Sequence, residues 1–328
     1  MSLILAAIPA TGALPLGRAR LVHAAWAEAR RIGGRFVLAL DDTAPARAGT
    51  PLDDLGWLGL DWDAAFLRSD HAERYAAAAD RLEAAGRLYP CFENADELRS
   101  KAERQRRQGR LVRYDRAMLK LTPAQRAAAE AGGKRAHWRF KLSDGVVAWD
   151  DTSAGRCTVA LPTMSDPVLR EANGRIDPAL ALAADDAALG ATHIASGAEM
   201  LAQTAVHLDL LAALGAPGRV LTHLAAPVEE GGRRLQGQSL RALRQDGIVP
   251  AGLRGWFATL ARQAAPRAAI ADLLVANRLA LAGTEFSEVA HLLPGVDEVR
   301  WLAVRGGIEL VTEARGGAEK GGKEDFFL

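Results

Sequence analysis

Cysteine is nearly absent: Cys91 and Cys157 are the two in 328 residues. No disulfide framework is expected, and a reducing, cytoplasmic compartment fits best. Neither a CxxC pair nor a close Cys/His cluster offers metal-ligand spacing, so no metal is expected. An excess of charge of one sign is also missing. Lys and Arg number 41, Asp and Glu 40, and the formal net charge is +1. The whole molecule is therefore no polycation, and any nucleic-acid affinity must come from local basic patches. No stretch offers the ~18 charge-poor residues that span a bilayer, so no membrane association is expected. The apolar start, Met1 to Pro9, lacks a basic region before it and reads as a buried strand rather than a signal peptide. No internal repeat is found.

What is present is core-forming material. Hydrophobic residues make up 49% of the chain, enough for two or three domains. Leu3 to Ala7 is a continuous apolar run, as in a parallel strand covered on both faces. The turn Pro9-Ala10-Thr11-Gly12 follows, then Val22, Ala25, Trp26, Ala29 and Ile32 at helical spacing, stopped by Gly33-Gly34. Phe36 to Leu40 is a second buried strand, closed by Asp41-Asp42-Thr43. This strand–helix–strand unit predicts an open, doubly wound α/β sheet, with its ligand crevice beyond the carboxyl ends of the strands. A helix is predicted over His71 to Ala85, ended by Gly86. The sheet is predicted to resume near Val168. An apolar run, Ala179 to Ala184, is read as ending at Asp185-Asp186, with a short strand at Thr192-His193-Ile194 and a helix from Glu199 to Leu214 after it. Leu240, Leu243, Leu253, Trp256, Phe257 and Leu260 form a small apolar face on later helices.

Several stretches then point to one family. Trp57-Leu58-Gly59-Leu60-Asp61-Trp62-Asp63 resembles the WLGLDWD segment of bacterial glutamyl-tRNA synthetases. Thr11-Gly12 with Leu14 and Gly17 resembles the approach to the class I HIGH motif, and Asp42-Thr43 with Ala46-Arg47 the EDTDxAR stretch. Arg113-Tyr114-Asp115 is similar to RYDG, Arg139-Phe140-Lys141 to RFK, and Asp185-Asp186 with Gly190, Thr192 and His193 to DDxxMGITHVIRG. Ser239-Leu240-Arg241 through Asp246-Gly247-Ile248 resembles the helix after the KMSKS loop. The resemblance runs from about Leu3 to Ala261. It implies a class I synthetase Rossmann-like, doubly wound parallel sheet with an inserted acceptor-binding α/β subdomain and a C-terminal helical region. The corresponding expected boundaries are 1–88 and 166–225 for the two halves of the catalytic domain and 89–165 for the insert. The degenerate KMSKS loop and helical stem-contact-like region take 226–315, and 316–328 form a disordered tail. In length the chain is similar to the glutamyl-queuosine-tRNA synthetases, truncated relatives that keep the catalytic motifs.

The resemblance also implies where ligands would sit, and there the residues depart from the pattern. Nucleotide-facing positions are Thr11, Gly12, Gly17, Arg18, Arg233 and Arg234. The first histidine of HIGH is Pro15, which has neither a side-chain donor nor an N–H. Arg18 could meet a phosphate, or Arg18 and Arg20 could be solvated residues of a first helical turn. The second lysine of KMSKS is Gly237, and the loop is about four residues shorter; Arg233 and Arg234 could touch phosphate or form an exposed charge pair. Substrate-facing positions are Leu5, Pro9, Asp41, Pro178, Ser196 and Glu199. Leu5 stands for the arginine that would pair with the substrate side chain, Pro9 for a serine, Pro178 for a tyrosine and Ser196 for a second arginine. Losing one partner of a buried charge costs roughly 3–5 kcal/mol, so glutamate is not the expected ligand. The CxC pair of zinc-binding relatives is here Cys91-Phe92-Glu93, and no zinc is expected.

The strongest polar feature is basic: Arg99, Lys101, Arg104, Arg106, Arg107, Arg110 and Arg113 flank the lone acid Glu103 between them. In the resemblance this run lies in the subdomain that holds the tRNA acceptor end, where it would give salt-dependent binding; a solvated helix face is the alternative. No aromatics interleave it, so base stacking is not indicated. The expected function is a glutamyl-tRNA synthetase-like protein unable to activate glutamate, retaining nucleotide (ATP, with Mg) or tRNA acceptor-end binding or a regulatory role. Two alternatives stay open. One is an ATP-dependent aminoacyl ligase with a remodelled pocket. The other is an interaction module that docks a protein partner through Phe326-Phe327-Leu328 of the tail.

Overall fold

The computed structural model describes residues 2–43, 49–197, 200–216, 218–224, 228–229, 239–261, 267–268 and 270–314. In chain order the strands are β1 (Leu3–Pro9), β2 (Arg35–Asp41), β3 (Ala64–Leu67), β4 (Leu88–Cys91), β5 (His137–Phe140), β6 (Val146–Asp151), β7 (Gly155–Ala160), β8 (Val168–Arg170), β9 (His193–Gly197) and β10 (Val220–Leu224). The helices are α1 (Leu16–Arg31), α2 (Pro51–Trp57), α3 (Ala72–Ala84), α4 (Ala95–Arg107), α5 (Pro123–Ala131), α6 (Pro178–Leu189), α7 (Leu201–Ala213), α8 (Leu240–Gln245), α9 (Pro250–Ala261), α10 (Ile270–Leu281), α11 (Phe286–Val289) and α12 (Glu298–Val304). The predicted tail lies outside the described residues. Among the described residues, no helix is long and apolar enough to cross a membrane.

The chain divides into two compact units. The first takes Met1–Ala7 and Phe66–His223, the second Ile8–Ala65 and Leu224–Leu328. In the first, the strand order is β1-β9-β10-β6-β7. β1 runs parallel to β9 with Ile4 opposite His193, and β10 parallel to β6 with Leu221 opposite Asp151. β6 and β7 form an antiparallel hairpin. A second sheet, β4-β5-β8, is antiparallel. The strand near Val168 thus belongs to this small sheet and does not resume the parallel one. Leu82, Phe140, Leu161, Leu169, Leu180 and Leu210, each with 0% exposure, lie in one core with α3, α6 and α7.

α6 also corrects the sequence reading. Asp185-Asp186 does not end an apolar element; both residues lie inside the helix and are buried. Asp177 caps its start by accepting the Ala179 N–H at 2.9 Å, Pro178 takes the first turn, and Gly190 ends it. Burial is tolerated because each carboxylate is partnered. Asp185 takes Arg74 Nη1 at 2.7 Å, Arg68 Nε at 3.3 Å and the Tyr75 hydroxyl at 3.1 Å. Asp186 meets His207 Nε2 at 2.8 Å.

In the second unit α1 buries Leu16, Ala19, Val22, Ala25 and Ala29 at helical spacing and begins one residue after Pro15. Arg20 is buried as well, not solvated as the alternative reading had it. The predicted apolar face on α8 and α9 is present: Leu240, Leu243, Leu253, Trp256, Phe257 and Leu260 are all buried. A smaller core gathers Val249, Leu281, Val289, Leu293, Trp301 and Val311 around α10, α11 and α12.

Candidate nucleotide and RNA sites

The second unit holds the turn between β1 and α1, and backbone bonds fix it at four places. The Ala10 N–H donates to the Asp41 carbonyl at 2.8 Å, and the Gly12 N–H to the Gly49 carbonyl at 2.9 Å. The Leu14 N–H reaches the buried Asp54 carboxylate at 2.7 Å. The Leu14 carbonyl accepts the Leu240 N–H at 3.0 Å, and Pro15 bridges to Ser239. Gly12 has φ +91° and Gly49 φ +90°, conformations that only glycine adopts without strain. This stitching brings together the starts of α1 and α8, the two elements that carry the HIGH-like and post-KMSKS-like stretches.

The first turn of α1 has no side-chain cap and no acidic residue. Its leading N–H groups are therefore not satisfied from within the helix, and the helix dipole favours an anion there. Gly17 and Arg18 are exposed on that turn, Pro9 is exposed, and Thr11 is half-buried. Asp41, at the end of β2, is half-buried and accepts the Thr43 hydroxyl at 2.6 Å and the Thr43 N–H at 3.1 Å, so one of its oxygens is engaged in its own turn. Arg233 and Arg234 lie outside the described residues. Two residues that sequence reasoning missed act here: Asp54, which holds the turn, and Arg241, whose side chain lies against Gly49. Asp54, in the first turn of the helix that starts at Pro51, carries no motif of its own, and Arg241 lies in the post-KMSKS-like stretch without a ligand role of its own there.

The first unit holds the other expected substrate positions. With Ile4 opposite His193, Ala7 falls opposite Ser196, so Leu5 and Ser196 share one face of β1 and β9. Leu5 is buried and Ser196 half-buried, and Pro178 is exposed at the start of α6. Glu199 lies outside the described residues. The face thus offers an aliphatic side chain and a hydroxyl where the resemblance places two guanidinium groups.

The inserted segment carries the basic run on α4, started by a capping box between Asn94 and Glu97. Its charges are less free than the sequence suggested, because acids outside the run reach it. Lys101 is half-buried and engaged within the chain. Its ammonium pairs with Glu93 and, at 2.9 Å, with Asp115. Arg99 pairs with Asp96 at 3.4 Å and Arg107 with Glu103 at 3.6 Å. Gln105 clasps the Arg113 backbone through bonds of 2.9 and 3.0 Å, and the Arg113 guanidinium donates to the Pro162 carbonyl. Arg104, Arg106 and Arg110 remain exposed, without an ion pair among the described residues.

Beneath α4 lies a closed polar cluster. Glu93 accepts the Tyr114 hydroxyl at 2.6 Å, and Cys91 Sγ lies 3.2 Å from that hydroxyl. Burial pushes the Glu93 carboxyl up, but the bonds from Lys101 and Tyr114 outweigh it and hold the group below its ordinary range. Burial pushes the Cys91 thiol up, and the Tyr114 hydroxyl likewise. The carboxylate's charge is therefore balanced by an ammonium of the same chain. Among the described residues, no group of three or more His, Cys, Asp or Glu side chains could hold a metal ion. Next to the cluster, Arg139 lies 4.3 Å over the Tyr114 ring.

Arg116 departs from the family pattern. It follows Arg113-Tyr114-Asp115, where the resemblance has glycine, and takes φ +56°. Its guanidinium compensates by reaching both oxygens of Asp166 at 2.9 Å, Asp144 at 2.8 Å and the Leu142 carbonyl at 2.8 Å. Asp166, 1% exposed, also accepts the Tyr89 hydroxyl at 2.7 Å and the Leu142 N–H at 3.1 Å.

A mixed α/β fold with a parallel sheet, an uncapped helix start after a Thr-Gly turn, and a small antiparallel sheet whose β5 carries the RFK-like residues define a class I tRNA synthetase catalytic scaffold. Residues 7–249 match the family described as tRNA synthetases class I (E and Q), catalytic domain, and the chain belongs to that family. It is 39% identical over 337 residues to glutamate–tRNA ligase 2 of Gluconobacter oxydans (strain 621H), covering 92% of this chain and 76% of that protein. To glutamate–tRNA ligase 2 of Acidiphilium cryptum (strain JF-5) it is 42% identical over 340 residues, covering 93% and 76%. Among solved structures, the glutamate tRNA ligase of Elizabethkingia meningosepticum in complex with its amino acid superposes with a TM-score of 0.79 at 18% identity, over 97% of this chain and 79% of that one. The glutamate–tRNA synthetase of Elizabethkingia anophelis gives 0.81 at 17% identity, over 97% and 80%. These two likenesses carry the fold.

Proposed function

We propose that this chain is a glutamyl-tRNA synthetase-like protein that does not activate glutamate and keeps a nucleotide- or tRNA acceptor-end-binding role. The observation that carries this reading is the shared face of Leu5 and Ser196 on β1 and β9. A glutamate there would bring carboxylates to an aliphatic group and a hydroxyl, and an uncompensated buried charge costs roughly 3–5 kcal/mol. Nucleotide binding is supported by the uncapped start of α1 with Arg18, and by the ATP use general to the class, with Mg as the accompanying ion. RNA binding is supported by the exposed Arg104, Arg106 and Arg110, which have no ion pair among the described residues, and by glutamate–tRNA ligases among the relatives. Pyrophosphate exchange driven by glutamate tests the reading: no exchange above the amino-acid-free level is expected, and robust exchange overturns it. Isothermal titration with ATP and with unfractionated tRNA, at low and moderate salt, separates a nucleotide role from an RNA role.

A second reading has an observation of its own. The Leu5–Ser196 face suits a less anionic acyl group, so an ATP-dependent ligase with a remodelled pocket would use the same residues. Exchange driven by a different amino acid from a panel of all twenty distinguishes it.

A further inference from the structure

We propose that Arg241 is a phosphate-contacting residue of the nucleotide site, standing in for donors that the turn itself has lost; the inference rests on the nucleotide reading above. Arg241 follows the residue whose N–H is bonded to the Leu14 carbonyl at 3.0 Å, so its backbone is pinned to one end of the turn. Its guanidinium lies on Gly49, where a methyl group would overlap Nη1, Nη2 and Cζ. Gly49 in turn accepts the Gly12 N–H at 2.9 Å, which fixes the other end. The side chain therefore spans Gly12-Ala13-Leu14 from one bonded end to the other. Gly49 is required twice, by its φ of +90° and by the guanidinium that occupies the space of a side chain.

Among the described residues the charge is uncompensated. Arg241 is half-buried, yet among the described residues its guanidinium makes no hydrogen bond or ion pair. Other arginines of the same unit are spoken for: Arg30 pairs with Asp61 and Asp63, Arg254 donates to the Leu58 carbonyl at 2.6 Å, and Arg244 lies 6.0 Å over the Trp57 ring. A partly desolvated guanidinium without a partner is costly, and an incoming anion removes that cost. The planar fork suits two oxygens of one phosphate group, so the ligand class is a nucleoside polyphosphate. The position also answers a deficit, since Pro15 and Gly237 carry no side-chain donor where the resemblance expects a histidine and a lysine.

The test is isothermal titration of ATP and of adenosine into the full chain, its Arg241→Gln variant and its Arg241→Lys variant, with folding checked by circular dichroism. The unmodified chain is expected to bind ATP more tightly than adenosine. Arg241→Gln is expected to lose about 10- to 100-fold in ATP affinity, the worth of one charge-assisted contact, with adenosine binding unchanged. Arg241→Lys keeps the charge but not the fork and is expected to lose about 3- to 10-fold. If the unmodified chain prefers ATP and Arg241→Gln keeps that preference, the inference is overturned. If Arg241→Gln does not fold, undiminished ATP affinity in Arg241→Lys overturns it instead. If the unmodified chain does not bind ATP at all, the nucleotide reading fails first, and the inference falls with it.

Discussion

The turn at the start of α1 and the inserted segment around α4 are both rich in arginine, but they use it oppositely. Around α4, carboxylates that are remote or adjacent in sequence reach the basic side chains: Asp115 and Glu93 take Lys101, Asp96 takes Arg99, and Asp166 takes Arg116. At the turn, Arg18 and Arg241 have no such partners among the described residues, and the carboxylate nearby, Asp54, is spent on a backbone N–H. The segment that looks most basic in sequence is partly neutralised, while the inconspicuous turn keeps open charge among the described residues. Counting charges along a chain thus overstates one site and misses the other; what matters is which cations the fold leaves uncompensated.

That contrast can be broken at several points. The largest effect is expected at Asp166, whose carboxylate holds Arg116, Tyr89 and the Leu142 N–H. Asp166→Ala leaves a partly buried guanidinium without its main partner and is expected to lose about 3–5 kcal/mol in urea unfolding. A loss below about 1 kcal/mol, the size of an exposed pair, would show that this cluster is not structural.

Next comes the second unit's response to acid. His23 packs against Phe257 and Trp26, and burial, with the nearby Arg254 charge, lowers its pKa to about 4 from 6.5. Between those values the unfolded chain binds a proton that the folded one refuses. Stability is therefore intact above about pH 6.5 and falls by about 3 kcal/mol as pH drops through 4. His23→Phe should flatten the unfolding free energy across that window; an unchanged slope would place the acid sensitivity elsewhere.

RNA binding tests the uncompensated charges directly. Replacing Arg104, Arg106 and Arg110 together with glutamine is expected to lower the salt slope of tRNA binding by about 2, while Arg99→Gln with Arg107→Gln changes it far less. Equal changes would mean that the ion pairs on α4 open freely to phosphate. The smallest effect is on stability at the same helix: losing the Arg107–Glu103 pair by Arg107→Ala should cost only about 0.3–0.5 kcal/mol.

How much could be read in advance follows from the range of the interactions. The WLGLDWD stretch was legible because its work is local and apolar: Leu58 and Leu60 are buried, Asp61 accepts the Trp26 indole N–H at 2.7 Å, and Asp63 accepts the Phe36 N–H at 2.7 Å. The periodicity of α1 and the apolar face of α8 and α9 were legible for the same reason. Asp185-Asp186 misled because a pair of acids after an apolar run reads as an element's end, and the groups that make their burial tolerable, Arg68 and Tyr75, lie more than a hundred positions away. Arg116 misled for a related reason. A positive φ is written in sequence as glycine, and here an arginine occupies it because Asp166, 50 positions on, fixes its head. Arg241 was legible only as part of the post-KMSKS-like helix, since its place against Gly49 arises only in the fold.

β1 has a consequence for how the chain comes off the ribosome. It belongs with the first unit through Ala7, yet Leu3 bonds to Thr192, with 189 positions between them. At ~5–20 residues per second, β1 waits roughly ten to forty seconds before β9 has been synthesised. During that interval Ile8 to Ala65 is complete as a sequence, but the apolar run Leu3 to Ala7 has no β9 to pair with. The parallel pairing of β1 with β9 therefore closes late, by a long-range step that topology makes slow.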